Sequence, residues 1–122
     1  MRVLIVDDSE YMRSQISDAL VDAGYEVVGE AVNGETGIDL ALSLDPDIIT
    51  LDNILPDMIG TDVLRVLKQK MQVRSKVIIV SGIGKESAIN QGLALGACDY
   101  IVKPFTPQAI VESIDKAVSK VA

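Results

Sequence analysis

Five short, mostly apolar runs, Val3–Val6, Glu26–Ala31, Ile48–Leu51, Val77–Val80 and Tyr100–Val102, alternate with longer segments whose apolar residues recur at helical spacing. This alternation constrains the fold more than any other feature, because strands separated by helices are the pattern of βα units around a parallel sheet. The runs are rich in β-branched residues but too short to distinguish from buried helix by themselves, so the intervening segments decide. One helical face is shared by Ile16, Leu20 and Ala23, another by Ile38, Ala41 and Leu42, and a third by Leu64, Leu67 and Met71. Ile89 and Leu93 define a fourth, and Ile110, Ile114, Ala117 and Val121 a fifth. Boundaries are marked by Gly24, by Asp45-Pro46, by Gly96, and by Thr106-Pro107 as N-cap and first helical residue. The reading is (βα)5, an α/β fold with a doubly wound five-stranded parallel sheet between two helical layers. Strands that are continuously apolar are covered on both faces, and right-handed crossovers make 2-1-3-4-5, the flavodoxin-like order, the expected arrangement.

Composition bounds the chemistry. The chain has 122 residues, 48% hydrophobic and 24% charged, which fits one domain spanning 1–122 with a core large enough to need no disulfide or structural metal. Cys98 has no partner cysteine, and the apolar run at the N-terminus is interrupted by Asp7-Asp8, too early for a signal peptide or membrane span, so a cytoplasmic location is expected. The sequence has no histidine, which removes His-based zinc sites, Ser-His-Asp and Cys-His catalysis and a phosphohistidine role; any chemistry falls to carboxylates. The net charge of −7 is uneven, with 14 acidic and 2 basic side chains in residues 1–62. An acidic balance argues against binding nucleic acid or inserting into a membrane. The basic run Arg65, Lys68, Lys70, Arg74 and Lys76 lacks interleaved aromatics for base stacking and reads as a solvated helix face.

Just past the C-terminal ends of the strands stand Asp7-Asp8, Asp52, Ser81 and Lys103, all on one edge of the sheet. In the order 2-1-3-4-5 the first and third strands are neighbours at the switch point, so Asp7, Asp8 and Asp52 converge on one crevice and repel. As plain helix caps they would have no reason to converge, and Ser9 is the better N-cap for the first helix. A hard divalent cation relieves the repulsion; Mg²⁺ suits carboxylates, a backbone carbonyl, waters and a phosphoryl oxygen, with Mn²⁺ as a substitute. Lys103 then balances the third negative charge.

Together these residues resemble the receiver domain of two-component response regulators, in particular the single-domain, CheY-like chemotaxis type. The resemblance spans essentially the whole chain and rests on Leu4-Ile-Val-Asp-Asp-Ser9, Asp47-Ile-Ile-Thr-Leu-Asp52 with Pro56 and Gly60, Val80-Ser81-Gly82, and Gly96-Ala-Cys-Asp-Tyr-Ile-Val-Lys-Pro-Phe105. It implies that Asp52 is the phosphoacceptor, attacking the phosphorus of a phosphohistidine on a histidine kinase or of a small phosphodonor. It also implies that Asp8 and Asp52 hold Mg²⁺ directly, that Asp7 acts through a metal-bound water, and that the backbone carbonyl of Ile54 completes the protein's ligands. The chain would catalyse only its own phosphorylation and dephosphorylation. A phosphoryl group brings nearly −2 charge and three acceptor oxygens, for which the Ser81 hydroxyl and the Lys103 ammonium are placed as new partners. By the same resemblance Ser81 moves toward the phosphoryl group, Tyr100 turns inward behind it, the Lys103-Pro104 bond is cis, and the face of helix 4, strand 5 and helix 5 changes.

Three positions depart from the family's habit. Ile54 and Ile83 flank the acyl phosphate where polar residues commonly help position attacking water, so slow self-dephosphorylation is expected. Ile59 stands before Gly60 at an often acidic position, and no charge argument assigns it a role. The fifth helix is expected to end at Val121-Ala122, with no output domain expected after it. The expectation is a monomeric switch that signals by docking to a protein such as a flagellar motor switch component, with chemotaxis as the leading pathway. The nearest alternative is a phosphorelay intermediate that hands the phosphoryl group to a histidine phosphotransfer protein, which exposed apolar residues on the first helix would favour. A Mg²⁺-dependent phosphatase of the haloacid dehalogenase type wants Asp-x-Asp after the first strand, and Asp7-Asp8-Ser9 does not supply it. A flavodoxin-like cofactor binder wants a phosphate-cradling loop there, where this chain has two carboxylates.

Overall fold

The computed structural model describes residues 1–119. Strands β1 (Arg2–Val6), β2 (Glu26–Ala31), β3 (Ile48–Leu51), β4 (Lys76–Ser81) and β5 (Asp99–Val102) alternate with helices α1 (Glu10–Asp22), α2 (Gly34–Leu44), α3 (Gly60–Arg65), α4 (Glu86–Ala94) and α5 (Pro107–Ser119). The strands form one parallel sheet in the order β2-β1-β3-β4-β5, as the sequence pattern predicts.

Although the central strands read as nearly unbroken apolar runs, their side chains divide between two cores with the period of two that a pleated strand imposes. Leu4, Val6, Ile49, Leu51, Val77 and Ile79 pack with Ala41 of α2 and with Val63 and Leu64 of α3. Val3, Ile5, Ile48, Ile78 and Val80 face the other way, onto Ile16 and Leu20 of α1 and Ile110 and Ile114 of α5. Each fully buried Leu or Ile contributes about 2 kcal/mol relative to exposure, so both helical layers are held by burial rather than by helix propensity.

The helical faces differ from the periodicity in detail. Ala23 is the C-cap of α1 and exposed, and Ala19 lies inside in its place. Leu42 is exposed because α2 packs through Gly34, Gly37 and Ala41, with Gly37 close against Val6 of β1 and Gly34 against Met58 of the loop after β3. Met71 is exposed because the third helix does not continue as an α-helix: Val66–Lys70 widens into a π-helical segment in which the Met71 N–H bonds the Val66 carbonyl. Leu93 is exposed and only Gly92 of α4 is buried, which leaves α4 the most lightly anchored of the five helices described. Val121, expected on the fifth face, and the expected helix end at residues 121–122 lie outside the described residues. The boundaries follow their signals: Ser9 caps α1 by accepting from the Met12 N–H, Thr106 accepts from the Ala109 N–H, and Gly24 and Gly96 have positive φ.

Candidate functional site

The β1, β3, β4 and β5 C-terminal ends lie side by side, and the residues just beyond them converge. Asp7 follows β1 and is 1% exposed, Asp52 follows β3 and is 7% exposed, and Asp8 is exposed at the rim. One carboxylate oxygen from each lies within 4.8 Å of the others. Backbone bonds fix the two buried carboxylates relative to one another: the Asp7 N–H donates to the Ala31 carbonyl of β2, and the Asp52 N–H to the Val6 carbonyl of β1. Arg13 of α1 donates to the Asp7 carbonyl at 2.8 Å, tying the first helix to the same corner.

Lys103 enters from the end of β5, after its own N–H has bonded the Ser81 carbonyl of β4, and the Lys103-Pro104 peptide is cis. Its ammonium sits 2.9 Å from Asp7 Oδ2 and 3.5 Å from Asp52 Oδ1. Burial, and then the charge of Asp7, hold the Asp52 carboxyl above its ordinary pKa, against the opposing pull of Lys103 and of the Ile54 N–H. One lysine against three carboxylates leaves the crevice short of positive charge. The donors on offer are oxygens only, in a cluster of the size that a hard divalent cation spans, so the residues fit Mg²⁺.

Ser81 and Tyr100 meet through a single residue. The Ser81 Oγ accepts from the Ile83 N–H at 3.1 Å, and the Tyr100 hydroxyl donates to the Ile83 carbonyl at 2.7 Å. The two side chains thus hold the N–H and the carbonyl of one residue.

The loop after β3 is a closed miniature hairpin. Ile54 and Ile59 form an antiparallel bridge, the Leu55 N–H donates to the Met58 carbonyl at 3.2 Å, and the Gly60 N–H to the Asn53 carbonyl at 2.5 Å. Gly60 is required by contact: a Cβ there would lie 2.5 Å from the Asp52 carbonyl oxygen and 2.7 Å from the Asn53 Cα. The bridge places the side chains of Ile54 and Ile59 together on the surface, 62% and 55% exposed.

The response regulator receiver domain family matches residues 3–115 of this sequence. The chain belongs to that family. Its relatives include the chemotaxis protein CheY of Thermotoga maritima, 42% identical over 94% of this chain and 95% of that protein, and CheY of Bacillus subtilis, 38% identical over 97% and 98%. Among solved structures, CheY in the CheX-CheY-BeF3-Mg complex of Borrelia burgdorferi superposes with a TM-score of 0.92 at 28% identity, over 97% of this chain and 89% of that one. The response regulator domain of Thermotoga maritima CheB gives 0.85 at 31% identity, covering 98% of this chain and 94% of its own. This receiver domain thus has the CheY-like fold and two-component membership expected from its motifs, with chemotaxis proteins among its relatives.

Of the residues singled out from the receiver motifs, Asp7, Asp8, Asp52, Ile54, Ser81, Lys103 and Pro104 fall at this edge of the sheet, while Tyr100 lies inside β5 opposite Ile79 and reaches the loop after β4 through its hydroxyl. The basic run is taken up elsewhere in the receiver domain. Arg65 pairs with Asp62 and Arg74 with Asp45, while Lys68 donates to the Ser75 carbonyl at 2.5 Å. Sequence reading missed Asp57, whose carboxylate accepts from the Gly34 and Glu35 N–H groups of α2 at 2.7 and 3.0 Å. These partners lie 23 and 22 residues away, so no local capping signal announces them. Among the described residues, no helix is long and apolar enough to cross a membrane.

Proposed function

We propose that this receiver domain is a phosphorylation-controlled switch, with Asp52 as phosphoacceptor and a histidine kinase as donor. The supporting observation is the crevice itself: two buried aspartates and a rim aspartate converge with one lysine, a deficit of positive charge that a divalent cation would fill and that must be filled before an anionic phosphoryl group can approach. Asp8, Asp52 and the Ile54 backbone carbonyl would hold Mg²⁺, or Mn²⁺ in its place, with Asp7 contributing through a water, and a bound cation would supply positive charge to the crevice and to the phosphoryl oxygens. An Asp52 carboxylate oxygen attacks phosphorus, the bond from phosphorus to the donor's imidazole nitrogen breaks, and an acyl phosphate remains on the protein. Lys103 pairs with the new phosphoryl oxygens, and Ser81 turns its hydroxyl toward them, releasing the Ile83 N–H. The Ile83 segment and Tyr100 then rearrange together, and the surface of α4, β5 and α5 changes. The light anchoring of α4 suits it to that task.

The output is docking to a protein target, and the CheY relatives favour chemotaxis, with a component such as the flagellar motor switch as the partner. Tyr11 and Val21, exposed on α1, favour a phosphorelay intermediate as a second reading, in which a histidine phosphotransfer protein takes the phosphoryl group.

Intact mass after incubation with acetyl phosphate, with and without Mg²⁺, tests the proposal on the native chain and on Asp52→Asn. One added phosphoryl group requiring both Mg²⁺ and Asp52 is expected. An adduct that survives Asp52→Asn would place the chemistry elsewhere. Transfer of the group onward to an added histidine phosphotransfer protein would favour the relay.

A further inference from the structure

We infer that Asp57 is a positioning residue for the acidic crevice: its carboxylate straps the β3–α3 loop to the start of α2 and so sets the Asp52 side of the crevice against the Asp7 side. The inference rests on the metal-binding reading above and adds a residue outside the crevice to it.

The first four N–H groups of an α-helix have no partner within the helix, and its N-terminus carries partial positive charge. In α2 these groups are shared between two sources. Asn33, the N-cap, supplies its side-chain oxygen to the Thr36 N–H, while Asp57 supplies both carboxylate oxygens to Gly34 and Glu35. Two of these three N–H groups are therefore held by a tertiary tie. The two N–H groups also hold the Asp57 carboxyl below the ordinary aspartate range, so it is a carboxylate at neutral pH.

Met58, the next residue, lies against Gly34, where a Cβ would come within 2.7 Å of the Met58 Sδ. Between this tip and Asp52 the loop has little freedom: Leu55 is buried, the Leu55 N–H is bonded to Met58, and Ile54 bridges Ile59. Displacing Asp57 displaces the hairpin that carries the Ile54 carbonyl and leads back to Asp52. On the other side of the strap, α2 follows Ala31, whose carbonyl receives the Asp7 N–H at 3.0 Å. Because β1 lies between β2 and β3, a tie from α2 to the β3–α3 loop spans the strand end from which Asp7 and Asp8 emerge. Asp57 itself is exposed, so its removal leaves no cavity.

Titration calorimetry with Mg²⁺ alone on native protein, Asp57→Ala, Asp57→Asn and Asn33→Ala separates this strap from simple helix capping. Asn33→Ala removes a cap from the same helix end without touching the loop. Asp57→Ala is expected to raise the Mg²⁺ dissociation constant about tenfold, the lower end of the loss seen when groups that orient metal ligands are removed. Asp57→Asn keeps one acceptor oxygen and recovers part of the loss. Asn33→Ala lowers Tm and leaves Mg²⁺ affinity near that of the native protein. Equal affinities for Asp57→Ala and Asn33→Ala would overturn the inference. Amide exchange without metal reads the strap independently: the Leu55 and Gly60 amides exchange faster in Asp57→Ala than in Asn33→Ala, and equal exchange would also overturn it. Native protein that takes up no Mg²⁺ would sink the metal reading instead, and the exchange comparison would then decide the strap.

Discussion

At the scale of single residues, Ile54 and Ile83 are the side chains expected to flank the proposed acyl phosphate. The Ile54 side chain is exposed beside Asp52, and Ile83 is half-buried with its N–H held by Ser81 and its carbonyl by Tyr100. Neither side chain offers a hydrogen bond to water, and in-line attack on an acyl phosphate needs an oriented water molecule. The double variant Ile54→Asn, Ile83→Glu is therefore expected to shorten the phosphorylated lifetime by about tenfold, a modest share of what positioning a reactant contributes. Decay of the phosphorylated mass after removal of acetyl phosphate measures it, and equal lifetimes would show that these side chains do not govern hydrolysis. Both isoleucines are plain in the sequence. What the fold adds is that Ile54 stands free of the core, paired across a bridge with Ile59.

Among the elements, the turn between β3 and α3 carries the tightest backbone contact at the site. Gly60 lies against the Asp52 carbonyl and the Asn53 Cα, and both belong to the strand end that presents Asp52, the proposed phosphoacceptor. Gly60→Ala forces that backbone apart, with an expected loss of about 2 kcal/mol in urea denaturation, within the range for overpacking a close contact. Phosphorylation by acetyl phosphate falls with it, because the displaced group is Asp52 itself. Native stability and rate in Gly60→Ala would refute the requirement. Local sequence announces Gly60 as a turn residue, but the identity of its neighbour comes only from the hairpin's closure. The π-helical segment Val66–Lys70 is a similar case: the spacing of Leu64, Leu67 and Met71 reads as one regular face, and the widened turn moves Met71 off it.

For the whole molecule, the crevice is expected to couple stability to pH and, through the proposed metal site, to divalent cations. Asp52 is held above its ordinary value of 3.8 in the folded protein, by burial first and by Asp7 second. Between the ordinary and the folded value the native state binds more protons than the unfolded chain, so stability falls as pH rises through that window. The penalty is complete once pH exceeds the folded value. In EDTA, the urea midpoint of the native chain is expected to fall relative to Asp52→Asn as pH rises from about 4 to about 7. Mg²⁺ at neutral pH raises the midpoint of the native chain and moves that of Asp52→Asn much less, because ligand binding to the folded state stabilises it by mass action. Parallel pH curves for the two proteins would show that the crowded carboxylates do not limit stability.

The (βα)5 order, the two-sided burial of the sheet and the convergence of Asp7, Asp8, Asp52, Ser81 and Lys103 on one edge were legible from sequence, because each follows from local periodicity and from chain connectivity. Ser9 and Thr106 were legible as caps for the same reason, since their partners lie three residues away. Ala23, Leu42, Met71 and Leu93 were misplaced because exposure depends on what each helix packs against, and small residues or a widened turn rotate the contact face. The Asp57 strap, the single residue that joins Ser81 to Tyr100, and the raised affinity of Asp52 for its proton belong to tertiary structure alone. Each depends on groups distant in the chain being brought within a few ångströms, where hydrogen bonding and electrostatic repulsion act and one-dimensional spacing carries no signal.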